Sequence, residues 1–283
     1  HKWKIFLRCK RRGWCPACMV YRQTDRTGFL PARIIGNTPI RQWVLTLPPP
    51  LRMFLAFQPK LVSKVLGQFL GFIFAYLAKA AKKLLRARGE QWRSVRVGHL
   101  KPGSVTSIQR LSTDLSLNLH FHCLVTNGVF VKMSPDDTPW FLELPEPSTD
   151  DIAKLATKIC RWTCDLLERK GFWQPVREES SSSLETVAGF FTERGRGARF
   201  FRYCGVASDQ ETDVPVDRDG VFGFNVYAKE SIRGGDRKNL RRLIRYILNP
   251  PFTSKQLRPD PTSAGHVLID LKRPMRDGTE TLR

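Results

Sequence analysis

Apolar and polar residues alternate along Leu115–Val125, which is the pattern of a β-strand that buries one face. The apolar positions carry Leu, Phe, Cys and Val, and the polar positions are Ser116, Asn118, His120 and His122. Because successive side chains of a strand point to opposite faces, both imidazoles are expected on the same polar face. Ser104–Leu111 predicts the preceding strand, and Asn127-Gly128 followed by VFVKM predicts a hairpin turn into a third. These segments predict an antiparallel sheet.

Short apolar runs elsewhere predict further strands. RQWVLTL at residues 41–47 ends at three consecutive prolines, which force the chain out of a strand. VFGFNVYAK at residues 221–229 and the segment Val267–Leu271 are later strand signals. The Ser-rich segment Glu178–Ser183 predicts a flexible loop.

Three segments repeat their apolar residues at helical spacing. Residues 51–88 predict one or two helices that end in the basic sequence KAAKKLLRAR. Residues 152–169 predict an amphipathic helix that stops at Gly171, and residues 236–248 predict another before a pair of prolines. The most apolar stretch, Leu61–Leu77, is interrupted by polar residues, which favours a buried helix over a membrane span.

The charge of the chain indicates a polyanionic partner. Its 283 residues include 47 Lys and Arg against 26 Asp and Glu, a net charge of +21. Such an excess costs self-repulsion in the compact state, so it favours a nucleic acid as the partner, with an anionic membrane as the alternative. Seven cysteines without a secretory pattern indicate a reducing compartment, and we expect the cytoplasm. The chain starts at His1 and ends in a charged run, so we expect a fragment at both ends.

The first residues form a head rich in cysteine and arginine. Cys15 and Cys18 are separated by Pro and Ala, the spacing with which a zinc ribbon directs two thiolates at one ion, and Cys9 precedes them. A closed zinc site needs four ligands, so either His1 or residues upstream would complete it. The alternative is three cysteines that bind no metal.

The histidine strand is a candidate metal site. His120 and His122 flank Phe121, which would anchor the strand in the core while both rings face one ion. Two neutral imidazoles leave the coordination incomplete, and Gln109 on the preceding strand is a candidate third ligand. A divalent cation beside DNA suggests phosphodiester chemistry, because the ion neutralises charge that develops on the scissile phosphate.

One of the five tyrosines stands out as a nucleophile. In the helix predicted at residues 236–248, Tyr246 falls off the apolar stripe and lies one turn after Arg242. The arginine would favour the phenolate that attacks a phosphate, and Arg241 and Arg245 widen the basic surface. The alternative is a tyrosine that packs on the flank of the helix.

The stretches that carry these residues resemble one family. They are LRCKRRGWCPAC, RQWVLTLPPPLRMFLAFQPKL, IQRLSTDLSLNLHFHCLVTNGVF, DRKNLRRLIRYILNPP and GHVLIDLKRPMRDGT. Over nearly its whole length the chain resembles the rolling-circle HUH transposases of bacterial insertion sequences of the insertion-sequence-ninety-one type, including the related common-region elements.

The resemblance implies an α+β fold with a ferredoxin-like antiparallel sheet and helices on one face. A zinc-ribbon-like head at residues 1–28 would precede an HUH catalytic domain at residues 36–283, each of them incomplete at its outer end. Structural Zn²⁺ would be bound by three cysteines of this head: Cys9, Cys15 and Cys18.

The same resemblance implies the chemistry of the site. His120 and His122 would bind Mg²⁺ or Mn²⁺, and Tyr246 would attack single-stranded DNA at the ends of the element. The product would be a 5′-phosphotyrosine with a free 3′-hydroxyl, which serves to nick and rejoin one strand. Such an enzyme would act at the nucleoid in the bacterial cytoplasm without a membrane partner, and a homodimer is compatible with this scheme.

Two positions depart from the family pattern. Some members carry two tyrosines four residues apart, and here the earlier position is Arg242, which indicates a single-tyrosine variant. Tyr227 stands where relatives often have a histidine in the strand before the helix, which would weaken a metal site to which that histidine contributes. The alternatives are a zinc-ribbon nucleic-acid-binding remnant without activity and a metal-dependent nuclease that uses water.

Overall fold

The computed structural model describes residues 15–172, 216–217, 220–221, 223–228, 230–275 and 277–283. The helices are α1 (Pro16–Phe29), α2 (Pro49–Ala56), α3 (Pro59–Ala87), α4 (Thr149–Arg169) and α5 (Arg237–Ile247), and a π-helical turn (Leu30–Ile35) follows α1. The strands are β1 (Ile40–Thr46), β2 (Leu100–Lys101), β3 (Ser104–Leu111), β4 (Leu117–Thr126), β5 (Gly128–Val131), β6 (Trp140–Glu143), β7 (Val216–Asp217), β8 (Gly220–Val221), β9 (Asn225–Tyr227), β10 (Ser231–Ile232), β11 (Leu257–Pro259), β12 (Val267–Asp270) and β13 (Thr281–Leu282). Helices combined with antiparallel strand pairs confirm the α+β class. The loop predicted at residues 178–183 lies outside the described residues.

The described residues divide into two compact units. Unit 1 comprises those within residues 1–39, 109–118 and 232–283, and unit 2 comprises those within residues 40–108 and 119–231. Both units are discontinuous in sequence, because the chain leaves and re-enters each of them.

The main sheet has the strand order β10-β1-β4-β3, and β9 also pairs with β1. The predicted strands at residues 41–47, 104–111 and 115–125 are confirmed as β1, β3 and β4. β1 and β4 are antiparallel, and their register sets Val44 opposite His122 and Thr46 opposite His120. The prolines after β1 end the strand as predicted, and α2 begins at the second of them.

The core of unit 2 lies on the apolar face of β4, where Leu119, Phe121, Cys123 and Val125 are fully buried. α3 and α4 supply most of the helical side chains of this core. α4 begins three residues earlier than its apolar pattern predicts, because the Ser148 hydroxyl accepts a hydrogen bond from the backbone N–H of Asp151 at 3.1 Å.

α3 is long and apolar enough to cross a membrane by length and composition, and it alone is so among the helices of the described residues. One stripe of its side chains is buried in the core of unit 2: Leu61, Val62, Val65, Phe69, Ile73, Leu77, Ala78, Ala81 and Leu85. The stripe follows the three-to-four-residue spacing on which the sequence prediction of a buried helix rested.

The hairpin predicted at Asn127-Gly128 is wrong. β5 does not pair with β4 but joins β2 and β6 in a separate sheet of unit 2. At Asn127 the chain passes from one sheet to the other, and the backbone of this residue bonds to Leu144 instead (Leu144 N–H to Asn127 C=O, 3.0 Å). Gly128 lies so close to β6 that an added Cβ would be 2.1 Å from the carbonyl oxygen of Leu142. The glycine is therefore required by close packing of two strands and not by a turn.

The strand predicted at residues 221–229 is confirmed only in part, by β9 and the end of β8. In its described part, β8 and β9 are separated at Gly223, which has a φ of +75°. An added Cβ at this glycine would be 3.0 Å from Cβ of Pro48. The left-handed backbone at this glycine interrupts the predicted strand.

Unit 1 contains α1, α5 and a three-stranded sheet with the order β11-β12-β13. α5 confirms the helix predicted at residues 236–248, and the Asp236 side chain caps it by accepting the backbone N–H of Asn239 at 3.1 Å. The buried stripe of α5 consists of Leu240, Leu243, Ile244 and Ile247. α1 packs against α5, and β12 confirms the last predicted strand.

Candidate functional site

The two histidines of β4 lie side by side on one face of the main sheet. Their ring centroids are 4.9 Å apart, and the ring planes meet at 69°. His120 is partly exposed, whereas His122 retains 5% of its accessible surface. Alternation along β4 therefore brings both imidazoles together on the face opposite Phe121, as the sequence predicted.

His122 is held in its neutral form. Burial lowers its pKa to about 4, and the neighbouring His120 adds to this effect. A neutral imidazole has a free nitrogen lone pair, which is the form that binds a metal ion. At neutral pH, His122 therefore carries no positive charge that would repel a cation.

Gln42 of β1 is a site residue that sequence reasoning missed. Its side-chain Nε2 lies 2.9 Å from Nδ1 of His122, and the residue is only 3% exposed. Its other amide atom, Oε1, is buried and has no hydrogen-bond partner among the described residues. The only signal in the sequence was a polar amide inside an apolar strand, and the β1–β4 register was needed to connect it to His122.

The histidine pair can supply part of a coordination sphere. Two imidazole nitrogens suit a transition-metal ion such as Mn²⁺ better than Mg²⁺, which prefers oxygen ligands. Within the described residues, no group of three or more His, Cys, Asp or Glu side chains is placed to hold a metal.

The predicted nucleophile lies in unit 1, on the outer side of α5. Tyr246 is 64% exposed. The three arginines named from the sequence, Arg241, Arg242 and Arg245, are exposed as well. The buried stripe occupies the opposite side of the helix, so α5 presents a basic face that includes a phenol.

The C-terminal turn of α5 is held by two glutamine side chains of unit 1. Nε2 of Gln23, from α1, donates to the carbonyl oxygen of Arg245 at 2.8 Å. Nε2 of Gln109, from β3, donates to the carbonyl oxygen of Ile247. Carbonyls in the last turn of a helix lack partners within the helix, and these amides supply them on both sides of Tyr246. Gln109 is also the candidate third ligand, and that role stays a prediction.

The described part of the predicted zinc head consists of Cys15 and most of α1. Cys15 immediately precedes α1, Pro16 occupies its first position, and Cys18 is buried. Cys9 lies outside the described residues, so the zinc site stays a prediction. Cys123 is a core residue whose thiol pKa is raised by burial to about 12, which makes it unreactive.

Comparison with known protein families matches residues 103–283 to the Y2_Tnp family ("Putative transposase"). This match spans well over half of the chain and includes β4 with both histidines and α5 with Tyr246. The chain therefore belongs to this family of transposases, which as a class cleave DNA and transfer its strands. Searches of curated proteins and of solved structures gave no match.

Proposed function

We propose that the protein nicks and rejoins single-stranded DNA in rolling-circle transposition, with a divalent cation at His120 and His122 and with Tyr246 as the nucleophile. The observation that carries this proposal is the pair of adjacent imidazoles on β4, of which the buried one is neutral at physiological pH. Membership of a transposase family supports it.

Different residues of the chain would bind the cation, bind the DNA and position the nucleophile. His120 and His122 hold the cation, which, when bound, neutralises charge that develops on the scissile phosphate. The exposed arginines of α5, on the same face as Tyr246, bind the backbone phosphates of the DNA. Two glutamine amides fix the backbone on either side of the nucleophile.

In the cleavage step, Oη of Tyr246 loses its proton and attacks the phosphorus of a backbone phosphodiester. A bond forms between the tyrosine oxygen and phosphorus, and the bond from phosphorus to the 3′ oxygen breaks. The departing oxygen takes up a proton and becomes a free 3′-hydroxyl, while the 5′-phosphate stays on the tyrosine. Attack by a 3′-hydroxyl on this phosphotyrosine reverses the step and rejoins a strand.

The test is the formation of a covalent protein–DNA adduct. The protein is incubated with Mn²⁺ and single-stranded oligonucleotides labelled at their 3′ ends, which tile the DNA on both sides of its coding sequence. Denaturing electrophoresis then separates adducts from free DNA. We expect a labelled adduct with the wild type and none with Tyr246→Phe or with His120→Ala/His122→Ala.

Tyr227→Phe is the matched control. Tyr227 is 40% exposed and lies opposite Val44 on β1, which in turn lies opposite His122, so it shares the face of the sheet with the histidine pair. The adduct should survive this substitution. Its loss with Tyr227→Phe but not with Tyr246→Phe would move the nucleophile to β9. Cleavage without any adduct would show hydrolysis by water, and DNA binding without cleavage would show a remnant that only binds.

A further inference from the structure

Gln42 occupies a position where an apolar residue would otherwise be expected. It lies on β1 opposite Leu124, and both side chains are buried. Burial of an amide is unfavourable unless its polar atoms are hydrogen-bonded. Here the amide has one such bond, to Nδ1 of His122, and one buried atom without a partner among the described residues.

We propose that Gln42 is the positioning residue of the metal site: its amide engages Nδ1 of His122, so that Nε2 of this ring binds the cation. The inference rests on the proposed function, because it assumes that the histidine pair holds a metal. It adds a residue from β1 to a site for which the sequence named only His120 and His122 of β4 and the candidate Gln109 of β3.

The amide of Gln42 can bond to either tautomer of the His122 ring, because its nitrogen donates and its oxygen accepts. Without a metal, Nε2 of Gln42 donates to Nδ1, so the ring proton lies on Nε2 of His122. When Nε2 of His122 binds a cation, its ring proton must lie on Nδ1, which then needs an acceptor. Rotation of the amide by half a turn presents Oε1 to Nδ1–H and gives this oxygen the partner that it lacks.

Rotation of the Gln42 amide between its two orientations changes the free energy little in either direction. Each orientation leaves one amide atom buried without this bond, so the two differ little in polar burial, and metal binding selects between them. A carboxylate at residue 42 could only accept and would suit the metal-bound form alone. An apolar side chain would suit neither form.

The test compares Mn²⁺ binding of full-length variants by electron paramagnetic resonance, which measures free Mn²⁺. Gln42→Met removes both amide atoms at similar volume, and we expect it to weaken binding about 10- to 100-fold. Gln42→Glu keeps an acceptor and should stay within about threefold of the wild type, since its oxygen can receive Nδ1–H. Gln68→Met on α3 makes the same change away from the site and should bind Mn²⁺ like the wild type.

Nuclear magnetic resonance of the ¹⁵N-labelled histidine rings gives a second reading, since the chain has only five histidines. In the metal-free wild type, the proton of His122 should lie on Nε2, and in Gln42→Glu it should move to Nδ1. This measurement decides the matter if Gln42→Met fails to fold, because an unchanged tautomer in Gln42→Glu would overturn the proposal.

These measurements distinguish a wrong role for Gln42 from a wrong metal site. If the wild type binds Mn²⁺ and Gln42→Met binds it equally well, the role of Gln42 is wrong while the metal site stands. If neither the wild type nor Gln68→Met binds Mn²⁺, the metal site of the proposed function is wrong and the role of Gln42 falls with it.

Discussion

The side-chain amide of Gln23 donates a 2.8 Å hydrogen bond to the carbonyl oxygen of Arg245, the residue that precedes Tyr246. Gln109 does the same for the carbonyl of Ile247, the residue that follows it. Two segments distant in sequence, α1 and β3, thus hold the backbone of the proposed nucleophile. The helix that follows the cysteine motif is part of the support of α5 within unit 1.

Removing either glutamine amide should loosen the end of α5. Gln23→Leu and Gln109→Leu are each expected to lower the free energy of unfolding by about 1 kcal/mol, because a helix-terminal carbonyl loses its donor. Denaturant unfolding monitored by circular dichroism measures this change. Gln109→Leu should cost more than Gln23→Leu, since its bond is partly buried and that of Gln23 is exposed. Equal stability of both variants and the wild type would contradict the supporting role.

The burial of His122 predicts a pH-dependent stability. Its folded-state pKa of about 4 lies below the ordinary value of 6.5 that applies to the unfolded chain. As the pH falls from 6.5 towards 4, the unfolded state takes up a proton that the folded state does not, so the free energy of unfolding falls by up to about 3 kcal/mol. His122→Gln should flatten this dependence in urea titrations at several pH values. His266→Gln, an exposed histidine, should keep the wild-type slope, and a slope unchanged in His122→Gln would refute the linkage.

Replacement of Arg41 by lysine, although it conserves the charge, should destabilise the protein. Its guanidinium is buried and donates to Asn127 Oδ1 at 2.9 Å, to the Ala228 carbonyl at 2.8 Å and to Glu146 at 3.0 Å. A lysine has a single nitrogen and cannot reach all three, so Arg41→Lys should destabilise the protein by about 2 kcal/mol. Glu146→Gln should cost less, because its side chain is 72% exposed and keeps an acceptor oxygen. Thermal unfolding would rank the two variants, and the opposite order would contradict the argument.

Gly128→Ala and Gly103→Ala, both in unit 2, serve as a test substitution and its control. In Gly128→Ala the new Cβ would meet the Leu142 carbonyl oxygen at 2.1 Å, so the pairing of β5 with β6 must shift. We expect a loss of about 2 kcal/mol or more in the free energy of unfolding. In Gly103→Ala the nearest atom is 3.6 Å away, an ordinary contact, and stability should stay within about 0.5 kcal/mol of the wild type. Similar effects of both substitutions would show that close packing is not what requires Gly128.

The basic face of α5 predicts a salt-dependent affinity for single-stranded DNA. If Arg242 contacts one phosphate, Arg242→Gln should reduce the slope of log affinity against log salt concentration by about 0.7. Fluorescence anisotropy with a labelled oligonucleotide at several salt concentrations measures this slope. Lys60→Gln, an exposed lysine outside α5, is the control and should leave the slope unchanged. Equal slopes for Arg242→Gln and the wild type would remove Arg242 from the DNA interface.

Local sequence patterns were sufficient to predict most of the helices and strands. The alternation of β4 and the helical spacing of α3, α4 and α5 are visible in the sequence because each element buries one face against a core. The same alternation placed His120 and His122 side by side, and the helical stripe placed Tyr246 on the exposed side of α5. These features depend on residues within a few positions of one another.

Two local sequence patterns gave wrong or incomplete predictions of secondary structure, because long-range packing differs from what they indicate. Asn127-Gly128 has the composition of a hairpin turn, but its glycine allows the close approach of β6, and the chain moves to a second sheet. The apolar run at residues 221–229 is broken at Gly223, beside Pro48. In both cases, the glycine lies close to a residue of another element or loop, Leu142 or Pro48.

The sequence by itself determined the charge of this protein, the strand that carries the two histidines and the helix that carries the tyrosine, because these follow from residue type and from periods of two and 3.6 residues. Only the tertiary structure decided that Gln42 contacts His122 and that Gln23 and Gln109 hold the end of α5. Each of these contacts joins residues at least 80 positions apart. They depend on strand register and helix packing, which the whole core sets and which no local pattern encodes.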